Sequence, residues 1–391
     1  MRFSPPRTVF RDFSTLSFDY VPERLPGREA QAQRLATLYR PVVEAGVPVH
    51  ALLHGSVGTG KTHTARRFSA QLIAEASGRQ RTIQPLVVNC RQKFTADDVT
   101  LSMVRNFQEH FPTRGFSVAE KLDAFRRDMQ KRRTHVLLVL DEVDVLLKKS
   151  GPDLIYALTR LGEETAAGGR ERVSLLLIAP TAEALDRLDA ATRSTFRRTN
   201  VVEFPRYTAE ELRRILKQRC ELALHPSTFT DEVVDLIADI AAEYGDARYA
   251  IEILQNAGSL ADEEKSPELS AEHVRGAKAS VHPTDVEEKV RDLDRAHALA
   301  LLAVARRIRR KAYLVTSEAE ESYGLACEEY GTTARGHTQF WKYLKDLEAL
   351  GLIDSKVITR TARGAPGKTT VISLPEIPAQ VLVEKLERKL G

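Results

Sequence analysis

Short apolar runs recur along the first half of the chain, separated by longer stretches in which apolar positions return every three or four residues. Ala51–His54, Leu86–Asn89, Val136–Leu140, Ser174–Ala179 and Asn200–Phe204 read as strands, and Thr64–Ala76 as a helix. The run Val136-Leu137-Leu138-Val139-Leu140 shows no polar alternation, which predicts a central strand buried on both faces. Strands alternating with amphipathic helices predict an α/β domain: a mostly parallel sheet covered by helices.

The second half changes character. Tyr249–Leu260 has a helical pattern, and past Pro283 so do Leu293–Ile308, Ser322–Tyr330 and His337–Leu350. In the last of these, Phe340, Tyr343, Leu344, Leu347 and Leu350 share one face. Gly351 stops that helix, and a strand is expected from Leu352-Ile353. A turn carrying Arg360, Arg363 and Lys368 with Gly364, Pro366 and Gly367 leads into a second strand, Thr369–Leu374. Three helices followed by a hairpin with a basic tip predict a winged helix-turn-helix. That domain lays its third helix in the DNA major groove while the wing reaches backbone or minor groove. Arg335, His337, Gln339, Lys342 and Lys345 are the DNA-facing candidates on and before the third helix, and Arg360, Arg363 and Lys368 those of the wing. Winged helices also dock proteins, but basic residues on both helix and wing favour DNA.

Composition narrows the class without deciding it. The 391 residues are 42% hydrophobic and 29% charged, as in a folded globular protein with room for two or three domains. A net charge of +4 is mild, so any DNA-binding surface must be local. Cys90, Cys220 and Cys327 lie far apart without metal-ligand spacing and read as reduced packing residues. No apolar stretch approaches ~20 residues and no signal-peptide pattern opens the chain, so no membrane partner is expected and the expected location is cytoplasmic.

The chemistry is concentrated at Gly55-Ser56-Val57-Gly58-Thr59-Gly60-Lys61-Thr62, between the first strand and the first helix. This is the spacing of a phosphate loop. Backbone N–H groups from Ser56 to Thr62 curl around the phosphates at a helix N-terminus, Lys61 reaches the β- and γ-phosphates, and Thr62 ligates Mg²⁺. Asp141 and Glu142 stand at the carboxyl end of the central strand, where ligand sites of open α/β sheets lie. Asp141 is the second Mg²⁺ residue, and Glu142 the one that orients and polarises the attacking water. Asp144 reads as a helix cap. Thr181, just past Ser174–Ala179, is placed to help position that water. Arg193 reads equally as an ordinary basic loop residue and as a finger offered to a neighbouring subunit's nucleotide. Arg248, opening the helix after Gly245-Asp246-Ala247, is by itself more often a solvated surface charge than a γ-phosphate contact. ATP or ADP with Mg²⁺ is therefore the expected cofactor.

Taken together, the chain resembles the archaeal initiator family of the origin-recognition and Cdc type, in the AAA+ class. The match is carried by Asp19-Tyr20-Val21-Pro22, Leu25-Pro26-Gly27-Arg28-Glu29, the phosphate loop, Asn89-Cys90-Arg91-Gln92 and Leu140-Asp141-Glu142-Val143-Asp144. It continues through Phe204-Pro205-Arg206-Tyr207, Gly245-Asp246-Ala247-Arg248 and Gly367-Lys368-Thr369-Thr370. The resemblance implies an AAA+ domain over residues 1–205, a helical lid over 206–282 and a winged helix over 283–391. It implies that Val21, Pro22, Tyr207 and Arg219 surround the adenine or contact the nucleotide, that Arg28 belongs to the same site, and that Arg248 senses the γ-phosphate. It also implies that the insertion between Arg91 and Gly115 touches DNA through Arg91, Lys93, Arg105 and Arg114. Family members bind replication origins, bend or open the duplex, and help recruit the MCM helicase. The expected partners are therefore duplex DNA and that helicase, with paralogous initiator subunits as a further candidate, and the expected place is the nucleoid.

Two departures stand out. The family usually has Asn after the strand Ser174–Ala179, where this chain has Pro180-Thr181. Threonine still hydrogen-bonds a water, but with shorter reach and without an amide's paired donor and acceptor. The loop after Leu188 commonly reads Asp-Pro-Arg, and here Asp189-Ala190-Ala191 delays the arginine to Arg193. Tight nucleotide retention with slow hydrolysis, a switch more than a motor, is the expectation. The alternative is a DNA-binding regulator stabilised by nucleotide without functional hydrolysis. A signalling ATPase whose winged helix folds onto its own core, and a loader subunit working only in a ring, are further alternatives.

Overall fold

A computed structural model describes residues 9–161, 172–196, 198–281, 290–309, 311–362, 365–374 and 378–391, with the side chains of 198, 281, 358–362 and 365–368 left out. The chain divides into two compact units, Val21–Tyr207 and Met1–Tyr20 with Thr208–Gly391.

The first unit runs α1 (Glu29–Ala45), β1 (His50–His54), α2 (Lys61–Ser77), β2 (Ile83–Asn89), α3 (Ala96–Arg105), α4 (Val118–Arg132) and β3 (His135–Asp141). It continues with α5 (Val143–Ser150), α6 (Asp153–Arg160), β4 (Val173–Ala179), α7 (Ala190–Thr195) and β5 (Val201–Glu203). The strands form one parallel sheet in the order β2-β3-β4-β1-β5. Every residue of β3 and β4 is buried, and each fully covered Leu, Val or Ile contributes ~1.5–3 kcal/mol. Two hydrophobic layers sandwich the sheet. One joins Leu138 and Leu140 to Phe125 and Met129 of α4, and the other joins Leu137 and Val139 to Phe68 and Leu72 of α2. β1 and β3 run parallel on either side of β4, so the loop after β1 and the acids ending β3 open at the same carboxyl end of the sheet.

In the second unit, α8 (Ala209–Ala223), α9 (Asp231–Ala242), α10 (Ala247–Glu263) and α11 (Ala271–Val281) build a helical bundle. Thr208 caps α8 in a reciprocal box with Glu211, and Thr230 caps α9. Residues 9–16 belong to this unit: Phe10 bridges Leu224, and a Cβ on Gly258 would stand 2.3 Å from the Phe10 ring. That contact accounts for the glycine in the middle of α10. The winged helix follows, with helices Arg295–Ile308, Thr316–Glu329 and His337–Ala349 and a sheet β6 (Leu314–Val315), β8 (Ala365–Ser373), β7 (Asp354–Ala362), closed by the helix Ala379–Leu390. Its core gathers Leu302, Phe340, Leu344, Leu347, Ile372 and Leu386. Leu350, expected on the apolar face, is 46% exposed, because the helix ends at Ala349 and the chain turns at Gly351. The three cysteines are free and buried.

The winged helix and the bundle are clamped together. Lys356 of β7 and Tyr313 both bond the Asp239 carboxylate of α9, the phenol at 2.5 Å, and the lysine ammonium lies 4.1 Å from the Tyr313 ring centre. Arg275 of α11, fully buried, donates to Lys311 O at 2.7 Å and pairs with Glu272 at 3.1 Å. The other Glu272 oxygen accepts the Gln380 amide at 2.9 Å.

Candidate nucleotide site and nucleic-acid interface

The loop from Gly55 to Gly60 is shaped by residues that forbid side chains. Gly55, Gly58 and Gly60 have φ of 150°, 74° and 84°, values that favour glycine. A Cβ on Gly55 would stand 2.2 Å from Phe204 O, and one on Gly60 2.5 Å from Tyr207 Oη. Side chains are therefore kept off Gly55 and Gly60 ahead of the α2 N-terminus, and the free backbone N–H groups of a helix start suit the oxygens of a phosphate chain. Ser56 and Val57 are exposed at the rim of the loop and Thr59 is buried, its hydroxyl donating to Ser56 O at 2.8 Å. The Lys61 ammonium lies across the mouth of the loop, 2.6 Å from Gly55 O and 2.7 Å from Ser56 O. It is held where phosphate oxygens would compete for it.

Thr62 Oγ1 donates to Asp141 Oδ2 at 2.8 Å. A hydroxyl and a carboxylate oxygen meeting beside a phosphate cradle are a hard-oxygen donor set suited to Mg²⁺. The other oxygen, Oδ1, accepts the Glu142 amide at 3.0 Å, so the acid is fixed from both sides. Glu142 sits in the left-handed region at φ 56°, an uncommon place for a non-glycine residue. Its carboxylate pairs with Arg91 Nε at 3.2 Å. Asn89 sets the turn carrying that arginine, its Oδ1 accepting from the amides of Arg91 (2.8 Å) and Gln92 (3.3 Å). Asp144, expected to cap a helix, lies in the first turn of α5 and pairs with Lys148 at 3.5 Å. Thr181 is exposed and follows Pro180, whose carbonyl accepts the Gly55 amide at 3.1 Å. That bond brings Thr181 to the first residue of the loop.

Two of the candidate arginines, Arg28 and Arg219, are held by backbone carbonyls. Arg28 is 1% exposed beneath the loop, donating to Thr59 O, Gly27 O and Pro205 O, with its guanidinium stacked 3.6 Å from the Tyr207 ring centre. Arg219 is also buried, and its guanidinium donates to Thr15 O at 2.6 Å and Tyr20 O at 3.1 Å while lying over the Tyr20 ring. It thereby ties down the segment that leads into Val21, which is half-buried, and Pro22, which is buried. Burial pulls the Arg219 pKa down, although the group stays a cation. Arg193 pairs with Asp186 at 3.2 Å on an exposed surface. The Arg248 side chain is exposed on the first turn of α10, whose N-cap Asp246 accepts its amide at 2.7 Å. An arginine buried under a phosphate loop carries no signal in a single sequence.

Of the basic residues in the insertion, Arg91, Lys93, Arg105 and Arg114 are all exposed. Arg105 also grips its own loop, donating to Phe111 O at 3.0 Å and Thr113 Oγ1 at 2.7 Å, and so shapes the segment that presents Arg114. Arg335, His337, Gln339, Lys342 and Lys345 are all exposed along the third helix and its approach. His337 Nδ1 lies 2.7 Å from Glu320 Oε2, and Lys345 bonds Glu348 at 2.6 Å and lies 5.3 Å from the Trp341 ring centre. Arg363 and the side chains of Arg360 and Lys368 lie outside the described residues.

A parallel sheet of this order with a phosphate loop after β1 and paired acids after β3 defines an AAA+ ATPase. Residues 24–178 match the AAA ATPase domain family, 213–279 the Cdc6 AAA+ ATPase-type lid domain, and 288–383 the CDC6 C-terminal winged helix domain. Among curated proteins, ORC1-type DNA replication protein 1 of Aeropyrum pernix is 34% identical over 368 residues, covering 94% of this chain and 92% of the relative. Its counterpart in Sulfurisphaera tokodaii is 32% identical over 94% of this chain. The chain belongs to the ORC1-type (Cdc6) family of archaeal DNA replication initiators. Among solved structures it is similar to Cdc6p of Pyrobaculum aerophilum, with a TM-score of 0.82, 29% identity and 98% of each chain covered. It is also similar to the Aeropyrum pernix ORC1 protein solved in complex with DNA, with a TM-score of 0.64, 32% identity and 97% of each chain covered.

Proposed function

We propose that this chain is an ATP/ADP-switched initiator that binds duplex DNA at a replication origin and helps recruit the MCM helicase. The observation that carries the reading is the Thr62–Asp141 bond at 2.8 Å beside a loop whose Gly55 and Gly60 leave no room for side chains. It supports Mg²⁺-nucleotide binding in a chain whose family acts on DNA. The domains at work are an ATPase over 1–205, a lid over 206–282 and a winged helix over 283–391, with residues 9–16 packed on the lid helices.

Bound Mg-ATP supplies a scissile phosphoanhydride and a cation that neutralises its developing charge. Thr62 and Asp141 hold the cation, Lys61 turns from the loop carbonyls to the phosphates, and the loop amides orient them. Glu142 accepts a proton from the attacking water, with Thr181 as a second hydrogen-bonding partner for it. Val21, Pro22 and Tyr207 line the nucleotide's other end, and Arg248 reports the γ-phosphate to the lid. Arg193 is offered to the nucleotide of a paralogous subunit. Arg335, His337, Gln339, Lys342, Lys345 and the wing arginines grip DNA from the winged helix, joined by Arg91, Lys93 and Arg114 from the ATPase domain.

The Aeropyrum pernix ORC2 protein, 25% identical with a TM-score of 0.65, was solved as ADPNP-ADP complexes, which supports adenine nucleotide as the ligand here. Among the described residues no helix is long and apolar enough to cross a membrane. Equilibrium binding of Mg-ATP and Mg-ADP to the purified chain, followed by duplex retention of each complex, tests the reading. Failure to bind either nucleotide would end it.

A further inference from the structure

Arg28 holds an unusual position for a charged side chain. It is 1% exposed, it precedes α1, and its guanidinium spans three backbone carbonyls. Nε donates to Thr59 O at 2.8 Å, Nη1 to Gly27 O at 2.7 Å and Nη2 to Pro205 O at 2.6 Å. Tyr207 stacks on the guanidinium at 3.6 Å, and a Cβ on Gly60 would stand 2.5 Å from its hydroxyl and 3.7 Å from Arg28 Cγ.

The bond to Thr59 O has a directional consequence. In a trans peptide the carbonyl and the following N–H point in opposite directions. Drawing Thr59 O down onto Arg28 turns the Gly60 N–H away from Arg28, towards the concave side of the loop. The Thr59 hydroxyl, bonded to Ser56 O at 2.8 Å, pins the same residue at its other end. Glycine at 60, with φ 84°, permits the turn, and Tyr207 keeps anything larger out.

We infer that Arg28 is a positioning residue for phosphate binding: it touches no nucleotide and acts by fixing the Thr59–Gly60 peptide so that the Gly60 N–H faces the phosphates. The inference deepens the nucleotide-binding reading above and rests on it. It also separates Arg28 from the adenine-contacting residues with which sequence resemblance groups it. The amides of such a loop cradle the α- and β-phosphates, so the effect must grow with the number of phosphates bound. A buttress that merely held the domain together would weaken every nucleotide alike.

The test is the ratio of AMP to ADP dissociation constants, measured by calorimetry on the full-length wild-type chain, Arg28→Met and Arg28→Lys. In Arg28→Met we expect ADP affinity to fall at least ~10-fold with AMP affinity changed less than ~2-fold, because AMP lacks the β-phosphate. Arg28→Lys keeps the charge but reaches fewer of the carbonyls, and its ratio should fall at least ~3-fold. If Arg28→Met does not fold, Arg28→Lys decides alone, and a wild-type ratio in it overturns the inference. Equal losses for ADP and AMP overturn it too, leaving nucleotide binding intact. A wild-type chain that binds neither nucleotide overturns the functional reading and this inference with it.

Discussion

Arg91 Nε stands 3.2 Å from Glu142 Oε2, with the arginine side chain 74% exposed and the glutamate 37%. One residue comes from the turn after β2, the other from the end of β3, and they meet because those strands pair in register from Ile83↔His135 to Asn89↔Asp141. The pair couples the residue expected to polarise water to the first basic residue of the insertion. Exposed ion pairs are worth ~0–1 kcal/mol, so the carboxylate is restrained rather than locked. Arg91→Ala should therefore raise single-turnover ATP hydrolysis by less than about fivefold. A fall in rate would mean that Arg91 helps turnover directly.

Glu142 itself carries the larger effect. Glu142→Gln keeps shape and hydrogen bonding but cannot take a proton, and should lower turnover by at least ~10²-fold with ATP affinity unchanged. Rapid-quench measurement at saturating nucleotide checks this. An unchanged rate removes Glu142 from the chemistry.

The Asp239 clamp predicts a stability effect far from the nucleotide site. Burial and the Asp239 charge push the Tyr313 phenol far above its ordinary range, so it remains a donor at all working pH values. Tyr313→Phe leaves a part-buried carboxylate with one partner fewer and should cost ~1–3 kcal/mol in chemical unfolding. Lys356→Met should be non-additive with it, since both act on the Asp239 carboxylate.

Acid sensitivity should come from two histidines at the amino ends of the central strands. Burial lowers His50 and His135 from 6.5 to about 4, the latter helped by His50 and by Arg172 and Arg81. Above pH 6.5 the folded and unfolded chains both hold these rings neutral. Below it the unfolded chain takes up protons that the native sheet refuses, so stability declines as pH falls from 6.5 towards 4. Each ring accounts for about 3 kcal/mol by the end of that window. His135→Gln should flatten the dependence of thermal midpoint on pH, and an unaltered slope would contradict it.

Much of this was legible in the sequence because it rests on local rules. The unbroken apolar run of β3, the glycine spacing of the phosphate loop and the strand-end acids each report a local constraint, and the matching families bear out the AAA+ core, lid and winged helix. Elements without such a signal were missed or shortened. The helix Thr316–Glu329 reads only from Ser322 because its first turn is polar and it buries small residues, Ala319 and Ala326, with Tyr323 and Cys327. The two-residue strand β6 exists only through its pairing with β8. The roles of Arg28, Arg105 and Arg219 depend on carbonyls distant in the chain or on loop conformation, which residue type does not encode.

The central claim, nucleotide-loaded protein gripping duplex DNA through phosphate contacts, is tested most directly by a salt titration of binding. Trp341 is the chain's single tryptophan and lies on the third helix beside Lys345, so its fluorescence reports engagement of that helix. With Mg-ATP bound, raising salt from about 50 to 200 mM should weaken duplex binding by roughly 10³-fold or more if six or more phosphates are neutralised. A signal that does not respond to duplex, or an affinity flat across that range, would contradict the account.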